Sequence, residues 1–412
     1  MKKRSILLAI VFFISIIILS VNSNKKYLVN EEFLATYIDG EKTDSFPAKG
    51  TVSFSKAECD NNTNIEWDND NWGLYVTNLS NKVKCNIYFK TGENAVTKIT
   101  SLASSDTTNM ASDDPDNNIR YIGTNPNNYV YFNCSDYANQ TSDTCELWRI
   151  IGVFNNIEKE DGTKENLIKI IRNESIGSYS WDTTTKDNNS GYGYNYWNNS
   201  KLMKLLNPGY ELTSIGGSLY YNSISGQCYY SQNNSSTSCN FEANGLKAGV
   251  TKKAIVSAYW KIGCVTSTQY RENGQAYNWY EYERKNDACF SNSNSWTGKV
   301  AILYASDYGF ATGGGTTTNR NTCLNTSMYN WNEKPDCFNN NWLYGNTKWL
   351  LAQYSAYNYV TFAIYDYNST VGQVSIDGVG NLASVNPVLF LKSNILITSG
   401  DGSSNTPYQL GL

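Results

Sequence analysis

Ten cysteines and no histidine set the chemistry that this 412-residue chain can carry. In order, the cysteines fall as five neighbouring couples: Cys59/Cys85, Cys134/Cys145, Cys228/Cys239, Cys264/Cys289 and Cys323/Cys337. An even count behind an export-type leader reads as a disulfide framework, because such bonds persist outside the reducing cytosol. Pairing within each couple is the expectation, although spacing leaves the connectivity open. Without histidine there is no Ser-His-Asp triad and no Cys-His pair, and a Cys-x-x-Cys zinc spacing is missing as well. Carboxylate chemistry of the glycosidase kind needs two acids placed together. Asp307, Asp366 and Glu281 are available, but nothing in the sequence pairs them. Asp68-Asn69-Asp70-Asn71-Trp72-Gly73 begins like a calcium loop, yet it has Trp72 at position five and Leu79 at position twelve, where oxygen ligands are needed. Asp113, Asp114 and Asp116 read as solvated acids ahead of a strand. No catalytic residue, metal or cofactor is therefore expected, and the protein is read as a non-enzyme.

Binding chemistry is better represented. In the stretch Tyr359–Tyr367, Val360, Phe362 and Ile364 alternate as a core face, leaving Tyr359, Thr361, Ala363, Tyr365 and Tyr367 on the other. With Tyr354 and Tyr357 from the preceding loop, Tyr359, Tyr365 and Tyr367 could form a flat platform for a glycan or a protein surface. Tyrosine rings stack on apolar faces while their hydroxyls bond the rim. The competing expectation is a tyrosine face packed beneath the loop between Cys323 and Cys337. Trp342 and Trp349 are expected in the core.

Composition agrees with an adaptable polar-aromatic surface. The chain has 32 Tyr, 14 Phe and 11 Trp, only 17% charged residues and a formal net charge of −4. Clustered Lys and Arg are missing after the leader, which disfavours nucleic-acid binding. A biased, AT-rich coding composition would enrich Asn, Tyr, Lys and Ile in the same way, so abundance alone proves no site.

Positioning elements follow from pattern. Lys2, Lys3 and Arg4 precede an apolar run from Ser5 to Val21, so residues 1–24 read as a signal peptide or signal-anchor. The uncleaved anchor is favoured because no second hydrophobic stretch is available to hold the protein to a membrane, and cleavage after Ser23 is the alternative. Either way residues 25–412 lie outside the cell. Residues 25–93 alternate throughout, as in Val83, Cys85, Ile87 and Phe89, and predict a small antiparallel β-sandwich with one staple. Residues 94–118, rich in Ser, Thr, Asp and Asn, read as a linker. Residues 119–412 form the large domain. Its strands are predicted over 119–122, 129–132, 147–151, 167–171, 299–304, 349–351, 359–367, 371–376 and 385–391. Helices are predicted over 200–206, stopped by Pro208-Gly209, and over 247–262. Strands, two short helices and further strands joined by long loops define an α+β class.

Several runs in this domain carry a resemblance. They include Tyr121-Ile122-Gly123, Glu146-Leu147-Trp148-Arg149-Ile150-Ile151-Gly152, Ile170-Ile171-Arg172-Asn173, Ser180-Trp181-Asp182, Leu205-Leu206-Asn207-Pro208-Gly209-Tyr210, Trp349-Leu350-Leu351 and Val385-Asn386-Pro387-Val388-Leu389-Phe390-Leu391. Over most of 119–395 the chain resembles exported surface proteins of gut-type Gram-positive bacteria. Their domain is similar to the C-type-lectin-like fold of formylglycine-generating enzymes and retroelement variable proteins. That family usually has an arginine where this chain has Asn386, and Thr-Pro-Arg where it has Ala352-Gln353-Tyr354, so no role of those arginines carries over. The resemblance implies a C-type-lectin-like head. The expected function is a secreted or surface-anchored recognition protein for a glycan or protein ligand, with a non-binding structural component as the alternative and a carboxylate enzyme as the second.

Overall fold

A computed structural model of the chain describes residues 34–412, except 61–62, 70, 78–82, 184–192, 214, 232–234, 286–288 and 290–293. The leader expectation lies outside the described residues, as do Asp70 and Leu79 of the loop considered for calcium. Among the described residues no helix is long and apolar enough to cross a membrane. The chain divides into two compact units. The smaller holds the chain up to Phe46 and Lys56–Phe89, and the larger holds Pro47–Ser55 and Lys90–Leu412.

In the small unit, alternation produces the predicted inward face. Val83, Cys85, Ile87 and Phe89 are all buried, and Cys85 is bonded to Cys59. Phe89 collects the rings of Trp67, Phe46 and Trp72 at 5.3, 5.6 and 6.0 Å. The sheet orders Glu41–Thr43, Leu34–Ile38, Cys85–Thr91 and Val52–Cys59, with a separate hairpin of Asn64–Asp68 and Gly73–Thr77. It is not wholly antiparallel, because Leu34–Ile38 runs parallel to Cys85–Thr91. A long connection separates those two strands, which is what parallel pairing requires, and alternation carries no sign of direction.

The large unit is mixed α+β, mostly sheet with short helices. Its main sheet orders Val388–Leu391, Lys164–Arg172, Glu146–Glu158, Ile119–Tyr121 and Met110–Ala111, with Tyr129–Phe132 also paired to Glu146–Glu158. Ile150 faces Ile170, and Ile170 faces Leu389, so one apolar row crosses three strands. At Gly152 the neighbouring strand comes so near that a β-carbon would lie 1.8 Å from the Ile119 carbonyl oxygen; only glycine fits there. A second sheet orders Ser178–Tyr179, Ala383–Ser384, Lys348–Gln353, Val360–Ile364 and Val374–Gly378. The predicted strand 299–304 is a thread between the two sheets. Ala301 exchanges bonds with Val388 while the Leu303 carbonyl accepts from the Leu351 amide at 2.8 Å.

Helices depart further from expectation. The helix expected over 200–206 forms over Lys201–Leu206, capped by Ser200, whose hydroxyl accepts from the Met203 amide at 3.1 Å. The expected helix over 247–262 covers only Val250–Ala254. Ile255 and Val256, β-branched and adjacent, continue extended against Leu391 and Phe390, where their side chains pack better than in a helix. Ala258–Lys261 then pairs with Ser295–Gly298. Conversely, Ala276–Arg284, where no element was expected, is a helix burying Ala276, Trp279, Tyr280 and Glu283 at helical spacing. Residues 94–118 are structured rather than a linker. Asn94 caps the helix Ala95–Ala103, which buries Ala95 and Ile99, Glu93–Asn94 pairs with Ile397 and Leu396, and Met110–Ala111 joins the main sheet. Polar residues between the apolar ones masked the 3.6 period.

All five expected disulfides form within their couples: Cys59–Cys85, Cys134–Cys145, Cys228–Cys239, Cys264–Cys289 and Cys323–Cys337. Trp349 is buried, its indole donating to the Tyr179 carbonyl at 2.7 Å, and Trp342 is buried as well.

Candidate functional site

The loop between Lys348–Gln353 and Val360–Ile364 is held by its backbone. Asn195 Nδ2 donates to the carbonyls of Val360, Tyr354 and Tyr357 at 2.9, 3.0 and 3.3 Å. The Asn195 amide donates to the Asn358 carbonyl at 2.7 Å, and the Ser355 amide to Val265 at 2.9 Å. One buried amide group thus shares its two N–H donors among three carbonyls of the turn, while its own oxygen is buried without a partner. Tyr357 is 51% exposed, with its ring 5.5 Å from half-buried Tyr359. Tyr194 and Tyr196, on either side of Asn195, are half-buried and stack at 5.1 Å with 11° between planes. Two partly exposed tyrosine pairs, Tyr194 with Tyr196 and Tyr357 with Tyr359, thus sit on segments that Asn195 joins.

The five tyrosines expected in one platform do not share it. Tyr354 is buried against Tyr270 and Phe362 at 5.4 and 5.5 Å and offers no surface. Tyr357 and Tyr359 lie at the start of the strand, whereas Tyr365 and Tyr367 lie beyond its end. Six positions of extended chain separate Tyr359 from Tyr365, or about 20 Å. Between them Thr361, Phe362, Ala363 and Ile364 are all buried. The strand sits inside its sheet with both faces covered, so the alternation does not expose a tyrosine row. Tyr365 is half-buried with its hydroxyl donating to the Ile376 carbonyl at 3.0 Å, while Tyr367 is exposed.

The acids considered for catalysis occupy three unrelated settings. Glu281 is exposed. Asp366 accepts from the Tyr344 hydroxyl at 2.5 Å and the Asn346 amide at 3.1 Å. Asp307 is sealed in a network with Lys169, Arg120 and Asp114. Arg120 donates to Asp307 at 2.7 Å and to Asp114 at 2.8 Å, and Lys169 pairs with the other Asp307 oxygen. All four side chains are fully buried. Beside them Glu283 accepts from Ser306 and from Arg284. Burial works against the Asp307 charge, but Lys169 and Arg120 more than offset it and hold the carboxyl below its ordinary value. Lys169 shares that one carboxylate with Arg120, so burial prevails there and lowers the ammonium to about 8. It remains largely charged at neutral pH. A carboxyl depressed on folding contributes stability in full above its unfolded value, about 3.9, and loses it as pH falls through the folded value. The melting temperature is accordingly expected to fall below about pH 4, and the fall to be smaller in Asp307→Asn; scanning calorimetry from pH 7 to 3 reads both.

Asp113 pairs with Arg320, Asp116 accepts from Tyr280, and Asp68 closes a turn onto Asn71. Among the described residues no cluster of His, Cys, Asp or Glu is placed to hold a metal ion. Cys323 and Cys337 are bonded to one another. The sequence reading missed Tyr194 and Tyr196, whose signal was the Tyr-Asn-Tyr alternation. It also passed over Arg149 as part of a strand. Comparison with protein-family models, curated proteins and solved structures finds no match to this chain.

Proposed function

We propose that the protein is an extracellular recognition protein, with a leader or anchor, a small β-unit as stalk and a C-type-lectin-like head that binds a glycan. The observation that carries this reading is the partly exposed pair Tyr357 and Tyr359 on a turn pinned by Asn195, with a second stacked pair, Tyr194 and Tyr196, flanking that asparagine. Rings already held in place bind without losing much conformational entropy, and tyrosine suits the apolar faces and hydroxyl rims of sugars. Five disulfides support an oxidising location. The α+β class and the sequence resemblance support the lectin-like head.

The oxidised protein is to be applied to a glycan and extracellular-matrix array beside a Tyr357→Ala/Tyr359→Ala variant. Selective binding is expected, weakened about tenfold or more in the variant, since each aromatic contact contributes about 1 kcal/mol. A blank array from folded protein would favour the structural-component alternative, and equal binding by the variant would move the site elsewhere.

A further inference from the structure

Arg149 stands apart from the other buried arginine of the large unit. Arg120 is met by two carboxylates, and the less deeply buried Arg172, Arg284 and Arg320 each have one. Arg149 is only 6% exposed and has no carboxylate partner among the described residues. Its guanidinium is sandwiched between the rings of Tyr129 and Trp342, at 4.2 and 4.4 Å from their centroids. Nε donates to Asn128 Oδ1 at 2.8 Å, and Nη2 to Asn125 Oδ1 and the Pro126 carbonyl at 3.3 Å each. Every one of those acceptors is neutral. Nη1 has no protein partner and is not sealed from solvent.

A second cation is held next to Trp342 in the chain. Lys348 donates to the carbonyl of Leu343, the residue after Trp342, at 2.9 Å and forms no ion pair among the described residues. Burial first and the Arg149 charge second bring it down to about 8, with Asp366 and Glu174 returning only part of the loss. Burial brings Arg149 down to about 10 against a smaller return from Tyr129, and it is still charged at neutral pH. Two cations kept in a partly desolvated place without a carboxylate are costly unless an anion completes them. Guanidinium is the side chain best shaped to receive a planar or tetrahedral oxyanion through paired N–H groups.

We infer that Arg149, framed by Tyr129 and Trp342 and supported by Lys348, is an oxyanion-binding site for the carboxylate or sulfate of an acidic glycan. It is separate from the tyrosine turn and does not depend on it. The aromatic sandwich fixes the guanidinium plane, and Nη1 is the edge presented to the ligand.

The test is titration calorimetry on the oxidised full-length protein with three probes at constant ionic strength: inorganic sulfate, sialyllactose and a sulfated disaccharide. Saturable binding is expected, tighter for one acidic sugar than for sulfate. It should weaken about tenfold in Lys348→Met, the effect of losing one charge-assisted contact, and disappear in Arg149→Gln. Should Arg149→Gln fail to fold, Lys348→Met and the wild-type titration decide alone. Sulfate bound as tightly as either sugar would retain the site but replace the glycan with a free anion. No saturation by any probe up to about 10 mM, weaker than a useful recognition affinity, would overturn the proposal. So would affinity unchanged in Lys348→Met. The Tyr357→Ala/Tyr359→Ala variant should keep oxyanion binding intact, which separates failure of this site from failure of the tyrosine surface.

Discussion

Asp307→Ala is expected to destabilise the large unit by about 3–5 kcal/mol, the loss found when one member of a buried ionic set is removed. The carboxylate receives Arg120 and Lys169 and also accepts from the Tyr304 amide. Deleting it leaves an arginine with one remaining carboxylate and a lysine with none, both fully buried. Asp307→Asn should lose less, because the amide oxygen still accepts one bond. Combining Asp307→Leu with Lys169→Met should restore part of the loss, since apolar replacement of a buried pair is often neutral or better. Denaturant unfolding followed by tryptophan fluorescence measures all three. A loss under about 1 kcal/mol for Asp307→Ala would show that the network is not the sealed one described.

The paired change Cys59→Ser/Cys85→Ser is expected to cost the small unit about 2–5 kcal/mol and, near body temperature, its folded state. A unit of this size buries too little surface to tolerate loss of its staple. Phe89 and its ring partners are then the main remaining core. Hydrogen exchange should accelerate across 34–46 and 56–89, while the amides of Glu146–Glu158 and Lys164–Arg172 stay protected. Unchanged exchange in the small unit would mean that its aromatic cluster suffices.

Local pattern carried the elements that depend on local physics. The inward face of Val83, Cys85, Ile87 and Phe89, the short helix ending before Pro208 and the strand Leu167–Ile171 were all legible. Where a segment's fate depends on its neighbours, the reading failed. Ile255 and Val256 leave the helix because the strand Val388–Leu391 offers them partners. The tyrosine row failed for a related reason, since period two tells which residues share a face but not whether a second layer covers it. Thr361 and Ala363 are covered. Arg120 and Asp307 stand 187 positions apart, and no spacing rule reaches that far. Asn195, which pins the tyrosine turn, was one asparagine among many.

The five disulfides follow one another along the chain without interleaving, at separations of 11 to 26 residues. Short loops close readily, because the entropy of bringing two ends together grows with the chain between them. A polypeptide emerging from its N-terminus therefore always presents the correct second thiol as the next one to appear. Each link can form before the following couple exists to compete for it, so the order of emergence itself selects the native pairing among the many that ten thiols allow.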